Sequence, residues 1–236
     1  MTPQAIATAL LFLGTAVIRA AIFVPLALTP CFVTLPALSQ EAPAPAPTNP
    51  DAPPAPNPWA FNLTVDGWVL PNDPGYASPI FTADHGWAHL EARYNNEDYR
   101  TGSMWLGYNF NTGKTVALHV TPMIGGVFGR TNGIAPGCEA SLTYKKVALS
   151  ISNYYVFNTG NSSENFYYTW PQFTYAPVSW FRTGIMAQRS HIVHTSVGIQ
   201  RGFFVGFSHK QFLFTTYIFN LGWTAPTADL ELSVSF

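Results

Sequence analysis

Asp229-Leu230-Glu231-Leu232-Ser233-Val234-Ser235-Phe236 is the stretch whose alternation decides the fold. On an extended strand successive side chains point to opposite faces. Leu230, Leu232, Val234 and Phe236 therefore share one face, and Asp229, Glu231, Ser233 and Ser235 share the other. The same period returns upstream. Phe61, Leu63 and Val65 oppose Asn62, Thr64 and Asp66. Ala88, Leu90, Ala92 and Tyr94 oppose His89, Glu91 and Arg93, and Ala140, Leu142 and Tyr144 oppose Glu139, Ser141, Thr143 and Lys145. Beyond Trp59 no apolar window is long enough for a membrane helix, which needs about 18 residues or more. Short alternating segments divided by turn-formers are instead the signature of a transmembrane β-barrel.

A soluble β-sandwich alternates in the same way, so other features must choose between the two. Charged residues make up only 10% of the chain and aromatics 15%. A soluble surface needs more charge than that, whereas a lipid-facing one does not. A formal net charge of −1 gives no basis for nucleic-acid binding. Aromatics gather near segment ends, at Trp59, Trp68, Tyr94, Tyr108, Phe110, Tyr154, Tyr155, Trp170, Tyr175, Trp180 and Trp223, where a barrel places its interfacial girdles. Phe236 stands on the apolar face of the last strand and resembles the C-terminal insertion signal of bacterial outer-membrane barrels. That likeness implies the barrel assembly machinery as a partner, with outer-membrane lipid as the surroundings. The strings Leu90-Glu-Ala-Arg-Tyr-Asn95 and Pro122-Met-Ile-Gly-Gly-Val-Phe-Gly129 are similar to runs in a family of uncharacterised bacterial outer-membrane proteins. The resemblance covers most of the chain after Trp59. It implies a porin-like barrel in a Gram-negative outer membrane and brings no activity with it.

Three regions follow. Residues 1–39 read as a signal peptide: an apolar run after Arg19 ends at Ala37-Leu38-Ser39, with small residues where a signal peptidase cuts. Pro30 before Cys31 excludes a lipoprotein site, and loss of Cys31 leaves Cys138 without a disulfide partner. Residues 40–58 are Pro/Ala-rich and favour extended polyproline II, a reach of roughly 50 Å at about 3.1 Å per residue. A periplasmic spacer is the plain reading of this linker; contact with peptidoglycan through 41–58 is the sharper one. Residues 59–236 form the barrel.

Turn signals place strands near 60–70, 77–84, 87–95, 101–110, 115–128, 138–145, 147–157, 166–176, 179–189, 195–209, 212–222 and 228–236. Bacterial barrels have an even strand number with both ends in the periplasm. The short connections at Asn111–Lys114, Lys145-Lys146, Ala176-Pro177 and His209–Gln211 then fall on one side. Trp59 joins them if Asp84-His-Gly86 is a hairpin turn, which favours twelve strands over ten. Pro171 inside a strand predicts a bulge or an early strand end. Arg201 shares a face with Ile199 and Phe203, and a bulge near Gly202 would turn it inward.

This register gives an inward set of Asp66, His89, Glu91, Arg93, His119, Glu139, Lys145, Arg182, Gln188 and Glu231. Charges of both signs fit a small porin-like channel for passive diffusion of polar solutes. The alternative is a plugged structural or anchoring barrel in which opposite charges pair. A third reading is a lipid hydrolase, with His194 as general base and Ser196 as nucleophile two residues away. The register turns Ser196 inward, away from lipid, so the balance lies against an enzyme. No spacing suggests a metal site or a cofactor.

Overall fold

The computed structural model describes residues 58–71, 74–192, 198–222 and 226–236, with the backbone alone for 190–192. The expected signal peptide, nearly all of the linker, His194, Ser196 and Trp223 lie outside these residues.

The strands are β1 (Ala60–Val69), β2 (Tyr76–His85), β3 (Ala88–Tyr94), β4 (Thr101–Tyr108), β5 (Phe110–Thr112), β6 (Ala117–Gly129) and β7 (Gly133–Tyr144). They continue with β8 (Val147–Asn158), β9 (Phe166–Val178), β10 (Phe181–Ile192), β11 (Gly198–His209), β12 (Phe212–Phe219) and β13 (Thr227–Ser235). Each pairs antiparallel with its sequence neighbour, except that β4 pairs with β6 across the short β5. β1 pairs with β13, from Asn62 opposite Ser235 to Val69 opposite Ala228, and this seam closes the sheet into a barrel. β5 continues β4 beyond Asn109 and runs against the same strand, β6. The wall therefore has twelve staves. The hairpin at His85–Ala88, with Gly86 at φ 57°, splits the two strands on which that count turned.

The two ends of the barrel differ. At the end holding Ala60 and Ser235, four connections shrink to two residues each, at 86–87, 145–146, 179–180 and 210–211. Lys145 and Lys210 adopt the left-handed backbone (φ 52° and 53°) that such tight turns require. The β9–β10 turn falls at Ser179-Trp180, not at Ala176-Pro177, because β9 runs on to Val178. At the other end the connections are longer, as at 95–100 and 159–165. Short turns mark the periplasmic end of a bacterial barrel.

Alternation sets the two faces. Leu63, Phe81, Leu90, Met104, Leu106, Ile124, Leu142, Leu149, Phe173, Ile185, Phe203, Phe214 and Leu232 all point outward and are exposed. Such an apolar surface, costly in water, is the lipid-facing belt of a membrane barrel. Cys138 lies on this face as a free, half-buried thiol. Outward aromatics cluster at the short-turn end, with Trp87 stacked on Tyr108 and Trp180 on Phe207.

Two expected bulges are absent. Register stays constant through Pro171, which pairs with Ile151 of β8; the irregularity in β9–β10 lies lower, between Phe181 and Thr183. Gly202 causes no slip either: Ala187 faces Arg201 and Met186 faces Gly202 in unbroken register, so Arg201 stays outward. An outward Arg costs roughly 2–4 kcal/mol at the bilayer midplane but only about 0–1 near an interface. Arg201 stands where the β11–β12 ladder ends, its N–H donating to the Asn220 side chain, and no bulge is needed to rescue it.

Candidate functional site: the barrel interior

The inner face is polar toward the short-turn end and aromatic toward the long-loop end. A cavity of about 360 Å³ lies between the walls, lined by Thr64, Asp66, Ile80, Glu91, Arg93, Asn96, His119, Glu139, Ser150, Ser152, Trp170, Gln172, Tyr217 and Glu231, among others. Asp66, Glu91, Arg93, His119, Glu139 and Glu231 of the sequence-predicted set thus meet around one space.

One side of this space is built on β3. Arg93, buried, extends its guanidinium between Glu91 (2.7 Å), Glu97 (3.4 Å) and Glu139 (3.5 Å). The same guanidinium lies over the Trp105 ring at 4.6 Å and the Tyr154 ring at 5.6 Å. Trp105 anchors itself by donating from Nε1 to Ser103 Oγ at 2.8 Å. His89 sits one step toward the turns, with Nδ1 at 2.8 Å from Asp84 and Nε2 at 3.6 Å from Glu91. Asn109 ties Asp84 to Thr121, and Thr121 in turn contacts His119, whose other ring nitrogen meets Asn111.

The other side is built on β10, β12, β13 and β1. Arg182 donates to Glu231 at 2.9 Å and to Thr215 at 2.6 Å, and lies over the Phe204 ring. Tyr217 adds a hydroxyl bond to the second oxygen of Glu231 at 3.1 Å. Asp66 pairs with Glu231 across the β1–β13 seam. Asp229, fully buried, has no partner for either carboxylate oxygen among the described residues.

Of the predicted set, His89 and Arg182 reach this space through Glu91 and Glu231, and two other members lie away from it. Lys145 is no wall residue: it occupies an exposed hairpin tip with its ammonium over the outward Tyr144 ring. Gln188 stands at the long-loop end of β10 opposite Gln200.

Three aromatics expected in the girdles are inside the barrel. Trp68, Tyr154 and Trp170 share parity with Asp66, Ser152 and Gln172, and period two carries them inward. Trp68 on β1 meets Trp170 on β9 at 6.1 Å between ring centroids, although β13, β12, β11 and β10 separate those strands along the wall. Phe219 and Tyr217 complete this layer, and Tyr168 stacks on Tyr154 at 4.8 Å beside it. The aromatic layer crosses the lumen above the polar cavity. The same parity could have found Trp105, which alternates with Met104 and Leu106. Glu97 left no such signal, because it enters the interior from the 95–100 loop.

No group of His, Cys, Asp or Glu among the described residues has metal-binding geometry. No family model matches the chain, and no curated protein matches it. Among solved structures, the KdgM porin in complex with disordered oligogalacturonate aligns with a TM-score of 0.50 and 9% identity, over 75% of this chain and 98% of its own. Two Pseudomonas aeruginosa outer-membrane proteins, opdK and OccK5 (OpdH), align over 75% of this chain and 65% and 66% of theirs. Their TM-scores are 0.42 and 0.41, at 8% and 7% identity. The likeness to the porin is one of fold: this chain has the closed twelve-strand architecture of a Gram-negative outer-membrane β-barrel.

Proposed function

We propose that the barrel is a narrow outer-membrane channel that favours small cationic or uncharged polar solutes. The observation that carries this reading is the charge of the interior. Asp66, Asp84, Glu91, Glu97, Glu139, Asp229 and Glu231 are there opposed by Arg93 and Arg182. In a low-dielectric tube such an excess raises the local concentration of cations and repels anions. The KdgM porin structure contains an oligogalacturonate, a chain of carboxylated sugars. An acidic lumen disfavours that cargo, so the shared fold is not extended to a shared solute. At the β1–β13 seam Phe236 faces outward, stacks on Phe61 and exchanges backbone bonds with it, which extends the apolar outer surface to the closing strand.

The second reading, a plugged structural barrel, has its own observation in the Trp68–Trp170 contact. Planar-bilayer recording separates the two. A channel gives reproducible conductance steps, and a salt gradient gives a reversal potential of the sign for cation preference. Silence across independent preparations favours the plug, and anion preference overturns the charge argument.

A further inference from the structure

We infer that Arg189 and Arg201 form a clamp on the outside of the barrel for the phosphate of a lipid in the external leaflet. Among the described strand residues, every Asp, Glu, Lys and Arg faces the interior except these two. Both are cations, and they stand on adjacent strands. Arg189 faces Ile199 and Arg201 faces Ala187, so the pair forms a diagonal on the outward face. Diagonal neighbours lie roughly 7–8 Å apart, within reach of each other's long side chains. Phosphate oxygens accept charge-assisted bonds from the forked guanidinium, which matches their geometry.

Two further observations point to a polar ligand at this spot. The Nε of Arg189 is buried without a hydrogen-bond partner among the described residues, and so is the Oγ1 of Thr169 directly opposite it. Asn153 faces Thr169 in turn, so Asn153, Thr169 and Arg189 form a polar strip across three strands of an otherwise apolar surface. Leu149, Ile151, Phe173 and Ile185 lie below it, and the outward pair Tyr155–Tyr167 lies above.

Height fits the same occupant. Arg189 is nine residues beyond Trp180, and Arg201 nine before Lys210. At about 3.3 Å per residue on strands tilted by roughly 35–45°, both stand some 20–25 Å above the short turns. The apolar band of such barrels is about 25 Å tall, so the pair meets the headgroup level of the leaflet opposite the periplasm. Phosphorylated glycolipid fills that leaflet in a Gram-negative outer membrane.

The test uses the full chain purified in detergent and native mass spectrometry with diphosphoryl lipid A as the probe. Wild type should retain the lipid, and Arg189→Gln with Arg201→Gln should weaken retention at least about tenfold. Dephosphorylated lipid A should bind wild type no better than the double variant binds the intact lipid. Inorganic phosphate at millimolar concentration should not displace it. Arg130→Gln, in a loop beside Asp98, should change nothing. Retention of the heat-modifiable gel shift shows that each variant is folded, and the two single variants serve if the double does not fold. Undiminished retention by the double variant, equal binding of dephosphorylated lipid, or displacement by inorganic phosphate would each overturn the inference.

Discussion

Among the described residues the barrel holds two arginines in its interior, and they are built from the same parts to different effect. Arg93 and Arg182 each grip carboxylates, and each lies over an aromatic ring. A cross-strand glycine makes room in both places. Gly125 faces Trp105, the platform under Arg93, and Gly206 faces Arg182 itself. The difference is access. The side chain of Arg93 is 3% exposed and serves three carboxylates, whereas that of Arg182 is 27% exposed and serves one. An arginine enclosed in that way acts as a post between walls. The more exposed Arg182 leaves its charge more open to the lumen.

Removing each cation should show this difference most strongly. Arg93→Met leaves Glu91, Glu97 and Glu139 facing each other without their shared cation. Breaking a buried pair by deleting one partner costs about 3–5 kcal/mol. Denaturant unfolding in lipid vesicles should report a loss of that size, and adding Glu97→Gln should return part of it. A loss under about 1 kcal/mol would mean that water already reaches the cluster.

Arg182→Met should cost less, roughly 1.5–3 kcal/mol, the worth of hydrogen bonds to a charged group. Glu231→Gln in the same chain should restore most of it, since one carboxylate is all that was stranded. Its larger effect should appear in bilayer recordings. Losing the more exposed of the two cations should shift the reversal potential toward cation preference further than Arg93→Met does. Equal shifts from the two would remove the distinction between post and wall.

Much of this was legible in the sequence, and period two was the reason. Strand alternation placed Asp66, Glu91, Arg93, Glu139, Arg182 and Glu231 inward, and hairpin chemistry at Asp84-His-Gly86 fixed twelve staves. For the aromatics, parity decides the face and position along the segment does not. Trp68 lies near the end of β1 and Trp170 well inside β9, yet both alternate with the polar set, and the lumen at that level is narrow enough for them to meet. For Arg201 strand parity alone gives the outward position, and the expected bulge near Gly202 is absent. Glu97 could not be read at all, because a loop residue carries no period.

The glycines offer the smallest and cleanest contrast. A Cβ on Gly125 would stand 2.5 Å from the Trp105 ring, and that ring is held by Ser103 on one side and by Arg93 on its face. Rigid neighbours cannot yield, and overpacking of this kind costs about 1–3 kcal/mol. A Cβ on Gly206 would stand 2.8 Å from the Cγ of Arg182, a flexible stem whose side chain is 27% exposed. Gly125→Ala should therefore lower the unfolding free energy measurably, and Gly206→Ala by less than about 1 kcal/mol, within the range of tolerated core changes. If both alanines cost the same, the surroundings of Arg182 are as tightly packed as the cluster around Arg93. The solute path would then have to be sought elsewhere in the lumen, because a wall that cannot accept one methyl group cannot pass a hydrated ion.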